Sequence, residues 1–240
     1  MFRSGALSSI VMSTMPLSIE YLSRLSEIHR HKKPRTYLEI GVWSGRSLAL
    51  AGPETLAIGV DPDPQIAERL PPRAKIFCET SDHFFAFRDV NREFEGLPID
   101  LVFVDGLHLF ENALRDFANA AKYCAADALI VIHDVLPGDS RMAQRNREAG
   151  AWTGDVWKVI LAIRKHMPYL RIKTIDTLPT GLSIISGINR TDSTLFDNYD
   201  RVVSEFINLD FDYFESQGRV EMNVISDGPG KIERLFAAII

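Results

Sequence analysis

Tyr37-Leu38-Glu39-Ile40-Gly41-Val42-Trp43-Ser44-Gly45-Arg46-Ser47 decides how this chain folds. The run reads as a buried strand ending at an acidic residue, then a glycine turn, then a helix start. Further on, a second apolar run, Leu56-Ala57-Ile58-Gly59-Val60, ends in Asp61. Two successive strands that finish in this way describe one half of a doubly wound, nucleotide-binding sheet. Gly41 permits a tight turn, and Gly45 leaves room for a ligand at the helix start. Asp61 carries two acceptor oxygens suited to the vicinal hydroxyls of a ribose, as in an adenosine. A dinucleotide fingerprint, G-x-G-x-x-G, would need a glycine where Trp43 stands, and the indole would hold a pyrophosphate off the backbone.

Outward from this run, strands and helices alternate. Strands are predicted over Thr36–Ile40, Leu56–Val60, Ala74–Cys78, Ile99–Val104 and Ala128–His133, with helices over Ser44–Ala51, Pro64–Leu70, Ser81–Phe94 and Leu109–Cys124. Near-continuous apolar strands such as Leu101-Val102-Phe103-Val104 imply burial on both faces, hence a parallel sheet. Before them, Leu17 to His31 has apolar residues at helical spacing, and Pro34 stops that helix. After them, a helix over Trp152–His166 precedes strands Leu170–Ile175 and Gly181–Ile185. The five residues between those strands can join only an antiparallel pair. A helix near Leu195–Ile207, a short strand near Val220–Ile225 and a last apolar helix complete the chain.

Composition narrows the function classes. With 240 residues and 46% hydrophobic content, the chain can bury one sizeable α/β domain. A net charge of −5 without a block of like charges argues against a nucleic-acid substrate. No apolar run has the length of a membrane span, and the N-terminal stretch lacks a signal-peptide cleavage site, so it reads as an arm. Cys78 and Cys124 lie among apolar residues and read as buried free thiols of a reducing, cytoplasmic compartment. His29, His31, His83 and His166 fall on predicted helices and read as surface residues.

The chemistry gathers at strand ends. The fourth strand runs into Asp105-Gly106-Leu107-His108, and the fifth ends in His133-Asp134-Val135-Leu136-Pro137. Ligands of such sheets bind beyond the carboxyl ends of the strands, so Asp105, His108, His133 and Asp134 are expected to share a rim with Gly41 and Asp61. Two carboxylates with one or two imidazoles can hold a divalent cation, and a hydroxylated substrate can chelate it. The loop Pro137–Ala151 overhangs that rim, and its Arg141, Arg145 and Arg147 suit an anionic substrate group.

The form E-x-G-x-x-x-G resembles the first motif of class I S-adenosylmethionine-dependent methyltransferases. Within that class, Glu39 to Pro137 resembles the family that includes the macrolide-sugar (macrocin-type) O-methyltransferases. The pieces that carry the likeness are E-I-G-x-x-x-G-R-S, Asp61, Thr80-Ser81-Asp82, D-G-x-H with its helix, and H-D-V-L-P. The resemblance implies a Rossmann-like, mostly parallel seven-stranded sheet with one antiparallel edge strand. It implies S-adenosylmethionine held by Glu39, Gly41, Gly45, Ser47, Asp61, Thr80, Ser81 and Asp105. It also implies a divalent metal (Mg or Mn) at Asp105, His133 and Asp134, with His108 as the general base. The relatives carry Glu where this chain has His133, and imidazole suits Mg²⁺ poorly.

The expected organisation is an N-terminal arm and helix over 1–34, a cofactor domain over 35–188 and an extension over 189–240 that serves as lid or oligomer arm. The expected activity is methyl transfer to an oxygen of a small hydroxylated molecule, sugar-containing or anionic, by a chain that can self-associate. Two rival readings stand beside it: a nicotinamide or sugar-nucleotide enzyme on a similar sheet, and a cofactor-binding subunit without catalysis.

Overall fold

The computed structural model describes residues 20–147 and 150–239. The expected arm, up to residue 19, lies outside them, as does the start of the first predicted helix. Helix α1 (Glu20–Lys32) leads into β1 (Thr36–Ile40) and, after a 3₁₀ turn at Leu48–Leu50, into β2 (Leu56–Val60) and β3 (Ala74–Phe77). Helices α2 (Ser81–Phe87) and α3 (Val90–Glu93) precede β4 (Ile99–Val104), α4 (Phe110–Ala121), β5 (Cys124–His133) and α5 (Trp157–His166). Strands β6 (Arg171–Asp176) and β7 (Leu182–Ser186) follow. The C-terminal segment holds α6 (Thr194–Asp197), α7 (Tyr199–Phe206), α8 (Phe211–Tyr213), a π turn, α9 (Arg219–Glu221), β8 (Val224–Ser226) and α10 (Lys231–Ile239).

The strands form one sheet in the order β3-β2-β1-β4-β5-β7-β6-β8. Strands β1 to β5 are parallel to one another, while β7 runs antiparallel to both β5 and β6. The chain order reverses between β1 and β4, which puts the ligand crevice of a doubly wound sheet at Gly41 and Asp105. β1, β2, β4 and β7 are buried at every position, because both sheet faces are covered. One core joins the sheet to α4 and α5 through Phe110, Phe117, Trp157 and Ile160. The other joins it to α1 and α10 through Leu25, Ile28, Ile232 and Phe236.

The sheet has eight strands where seven were expected. The added strand, β8, pairs in parallel with β6 and comes from the C-terminal segment. The first predicted helix of the core shrinks to the turn at Leu48–Leu50. Trp43 (φ 41°) and Gly45 (φ 81°) are left-handed, which a right-handed helix cannot include, and the turn ends where Ala51 becomes extended. Residues 64–70 form no helix, because their N–H groups go elsewhere: Gln65 donates to the Trp43 carbonyl and Ala67 to that of Ser44. The helix expected over Ser81–Phe94 breaks in two where Asp89 accepts from the Arg92 N–H and starts α3. His29 is buried edge-on against Tyr37 and not on the surface, and burial lowers its pKa to about 4. Cys124 is buried as expected, but Cys78 is exposed because β3 ends one residue before it.

Trp157 anchors the C-terminal segment. It is 1% exposed and packs on Tyr213 and Phe214, with an indole N–H that has no partner among the described residues. Trp157→Ala is expected to lower the unfolding free energy by about 3–5 kcal/mol in urea titrations. Trp157→Phe is expected to cost less than half as much, since it also removes an unpaired buried donor.

Candidate active site

Gly41 is where the site begins. Its φ is 86°, and a Cβ there would sit 2.1 Å from the Asp105 carbonyl oxygen. The bare α-carbon lets the ends of β1 and β4 touch, with the Asp105 N–H donating to the Ile40 carbonyl at 2.8 Å. Asp61, at the end of β2, accepts from the Val42 and Trp43 N–H groups through Oδ2 and from Asp63 N–H through Oδ1, each at 2.8 Å. Three donors use most of a carboxylate's lone pairs. The two-handed grip on a ribose that the sequence suggests therefore requires the loop to release an N–H. Gly45 meets Ile66 and Leu70, 3.3 and 3.2 Å from its virtual Cβ, and not open space. Trp43 is 72% exposed at the loop tip.

Glu39 does not face the crevice. It is fully buried, with Oε2 accepting from Tyr37 at 2.6 Å and Oε1 from Ser47 at 2.7 Å. Burial pushes its carboxyl up to about 8. Glu39 and Ser47, both expected at the cofactor, bond each other beneath the glycine loop. Thr80 caps α2 by accepting from the His83 N–H at 3.2 Å, and Ser81 bonds the buried Asp116, whose carboxyl burial raises to about 7.

Asp105, His108, His133 and Asp134 converge as the sequence suggested. His133 Nδ1 lies 3.0 Å from Asp105 Oδ1, while His108 Nε2 lies 3.1 Å from Asp134 Oδ2 and 3.6 Å from Asp105 Oδ1. Asp134 adopts φ 58°, a strained conformation of the kind that clusters at functional sites. Thr180 donates to Asp134 Oδ1 at 2.5 Å and lies 3.2 Å from His133 Nε2. Both nitrogens of His133 are thus engaged, and the ring is buried. One donor atom each from Asp105, His108 and Asp134 lies within 4.8 Å of the others, the spacing of a cation site. His108 completes this group, and His133, expected as a ligand from the sequence, stands as near, with Nδ1 3.0 Å from Asp105 Oδ1 and 3.6 Å from Asp134 Oδ2. A set of two carboxylates and an imidazole fits Mn²⁺ or Zn²⁺ better than Mg²⁺.

Electrostatics couple the four groups. Burial opposes charge on Asp105, yet His133 and His108 hold its carboxyl well below its usual range. Burial also lowers His108, but Asp105, Asp134 and the Trp152 carbonyl outweigh it and raise its pKa to about 9. His108 Nδ1 donates to that carbonyl at 2.9 Å, which leaves Nε2 as the nitrogen that faces the carboxylates.

Tyr21 had no signal in the sequence as a residue of the site, whereas the segment Ala151–Lys158 reads there as one of its walls. Tyr21 of α1 stacks on His133 with ring centroids 4.0 Å apart, and its hydroxyl is held protonated by burial and by Asp105 and Asp134. Trp152 stacks on His108 at 5.1 Å. Gly154 (φ 55°) presses against His108, where a Cβ would lie 1.7 Å from the carbonyl oxygen. Asp155 accepts from the Phe110 N–H at 2.7 Å and so caps α4 from another segment. Arg145, expected to hold an anionic substrate, is committed to Glu111 and Asp155 at 2.5 and 2.7 Å. Arg141 pairs with Asp139, and Arg147 lies over Trp152.

Residues 38–135 match the family model described as a methyltransferase domain. Among solved structures, the chain resembles cofactor-bound Rv0187 from MTB at 20% identity and TM-score 0.58, covering 73% of this chain and 83% of that one. It resembles the O-methyltransferase TomG from Streptomyces achromogenes, in complex with SAM, at 18% identity and TM-score 0.54, covering 72% and 82%. It also resembles an O-methyltransferase from Bacillus cereus, in complex with SAH, at 15% identity and TM-score 0.53, covering 70% and 81%. At these identities the likeness is one of fold. No curated protein matches the sequence.

The buried acids set a pH dependence. Glu39 and Asp116 have raised pKa values, so their stabilising contribution is complete below about pH 4, the ordinary carboxylate range. It is lost as pH rises through about 7 for Asp116 and about 8 for Glu39. Thermal unfolding between pH 5 and 8 is expected to show falling stability in the native chain and a shallower slope in Glu39→Gln.

Proposed function

We propose that this chain is a class I S-adenosylmethionine-dependent methyltransferase that transfers a methyl group to an oxygen of a small hydroxylated acceptor, a reading supported by the methyltransferase-domain match over residues 38–135. The observation that carries the reading is His108 Nε2, 3.1 Å from Asp134 at the crevice between β1 and β4, with its other nitrogen fixed by the Trp152 carbonyl. That arrangement defines the tautomer and leaves one ring nitrogen for an acceptor hydroxyl. Gly41, Gly45, Asp61, Thr80, Ser81 and Asp105 would hold S-adenosylmethionine. Glu39 and Ser47 shape the loop from below, and Asp105 and Asp134 stabilise the imidazolium once the proton is taken. In this reading 35–188 is the cofactor domain, 1–34 the N-terminal arm and helix, and 189–240 an extension that serves as lid or oligomer arm. TomG and the Bacillus cereus protein are O-methyltransferases, which supports oxygen as the target.

A second reading rests on the 4.8 Å cluster. Asp105, His108 and Asp134 would hold a divalent cation, whose chemistry is to lower the pKa of a chelated hydroxyl. In that case His108 is a ligand and not the base, and His133 orients Asp105. The two readings part in one experiment: S-adenosylhomocysteine formation with a panel of hydroxylated acceptors, using metal-stripped protein with and without Mn²⁺. Activity that needs no metal, and that rises with pH toward about 9 as His108 deprotonates, supports the base. Activity that appears only with Mn²⁺ supports the cation site.

His108→Ala is expected to lower kcat by roughly 10²–10⁴-fold, the usual worth of a general base. The affinity for S-adenosylmethionine, read by isothermal titration, should stay within about threefold. Equal loss of cofactor affinity would move His108 out of this role. Absence of S-adenosylmethionine binding, or binding of NAD⁺ in its place, would remove the proposal. The free thiols at Cys78 and Cys124 suit a reducing, cytoplasmic setting.

A further inference from the structure

Tyr21 belongs to α1, the helix that precedes the sheet, yet its ring stands at the rim of the site. The helix has anchors of its own. Leu25 and Ile28 are fully buried in the core that joins α1 and α10 to the sheet. Arg24 pairs with Asp227 at 2.7 Å, and Lys32 with Asp127 at 2.8 Å. These contacts dock α1 without the Tyr21 side chain. The main chain then fixes where the ring is placed, because the Tyr21 N–H donates to the Leu178 carbonyl at 3.0 Å. Leu178 lies in the β6–β7 connection, which also carries Thr180.

The partner of the ring is His133. The two rings are stacked, with centroids 4.0 Å apart and planes 29° from parallel, and Phe103 of β4 borders both, at 6.4 Å from Tyr21 and 6.2 Å from His133. His133 is also held at both nitrogens, Nδ1 by Asp105 at 3.0 Å and Nε2 by Thr180 at 3.2 Å. Those two bonds act at the ring edge. A contact on the ring face is what opposes tilting out of that plane, and an aromatic side chain supplies it with little freedom of its own.

Asp105 carries the consequence. Its Oδ1 faces His133 Nδ1 at 3.0 Å and His108 Nε2 at 3.6 Å. A tilt of His133 therefore displaces the carboxylate oxygen beside the nitrogen proposed to take the proton. Asp105 also belongs to the group that would hold a cation, so the displacement matters in either reading of the chemistry. Groups behind the reacting ones set their orientation, and an error of about 1 Å can cost on the order of 10²-fold in rate.

We propose that Tyr21 is a positioning residue: the face of its ring, supplied by α1, holds His133 in place and through it sets the Asp105 carboxylate for methyl transfer. The effect on rate rests on the methyl-transfer reading above, whereas the effect on His133 does not.

The test compares two variants of the full chain. Tyr21→Leu keeps an apolar side chain and removes the flat face, while Tyr21→Phe keeps the face and removes the hydroxyl. Tyr21→Leu is expected to lower kcat by about 10–100-fold, with the dissociation constant for S-adenosylmethionine, read by isothermal titration, within about threefold of the native value. Tyr21→Phe is expected to return kcat to within about threefold of native. Imidazole ¹H–¹³C spectra add a readout that needs no turnover. The His133 signal, assigned by its loss in His133→Gln, is expected to move downfield in Tyr21→Leu, where the shielding of the stacked ring is gone, and to stay in place in Tyr21→Phe. If the native chain forms no S-adenosylhomocysteine with any acceptor, the methyl-transfer reading falls and the His133 spectra decide on Tyr21. If Tyr21→Leu does not fold, Tyr21→Met takes its place. Unchanged kcat or an unmoved His133 signal in Tyr21→Leu, an equal loss in Tyr21→Phe, or a loss of cofactor affinity as large as that of kcat would each overturn the proposal.

Discussion

Contact between the ends of β1 and β4 at Gly41 is the constraint on which the rest of the molecule depends. The Asp105 carbonyl occupies the space where any side chain at residue 41 would be. Only a glycine gives both the left-handed turn and that approach. With the two strand ends in contact, the Asp105 side chain is carried into the crevice at the point where strand order reverses. The glycine loop is then held from above by Asp61, through the Val42 and Trp43 N–H groups, and from below by Glu39 and Ser47. Trp43, left-handed and exposed, is tolerated because its neighbours over-determine the turn.

A second ring of contacts fixes the chemistry. The strained Asp134 is gripped by Thr180 from the β6–β7 connection, and His133 is clamped between Asp105, Thr180 and the ring of Tyr21. On the other side, Trp152, Gly154 and Asp155 press on His108 and cap α4, and Lys158 links Asp155 to the Ile207 carbonyl. The segment 152–158 therefore connects His108 to the C-terminal helices. Burial of Trp157 against Tyr213 and Phe214 contributes to stability, and the same packing positions the site.

The strands were legible because burial on both faces leaves an almost unbroken apolar run, as in Leu101-Val102-Phe103-Val104. The short helices were not. Ser44–Ala51 and Pro64–Leu70 have helical composition, but left-handed residues and hydrogen bonds to the glycine loop take their backbone elsewhere. β8 was foreseen as a short strand but not as a member of the sheet, because its pairing with β6 joins residues about fifty apart in sequence.

By itself, the sequence determined the doubly wound sheet, the glycine turn, and the convergence of Asp105, His108, His133 and Asp134 on one rim. Each of these follows from periodicity and from the rule that functional residues sit at strand ends. Only the tertiary structure decided which way those side chains turn. It set His108 between Asp105 and Asp134, committed Arg145 to Glu111 and Asp155, and brought Tyr21 from a separate helix onto His133. Hydrogen-bond partners of this kind come from segments far apart in the chain, and their choice depends on distances of a few ångströms that residue order does not encode locally.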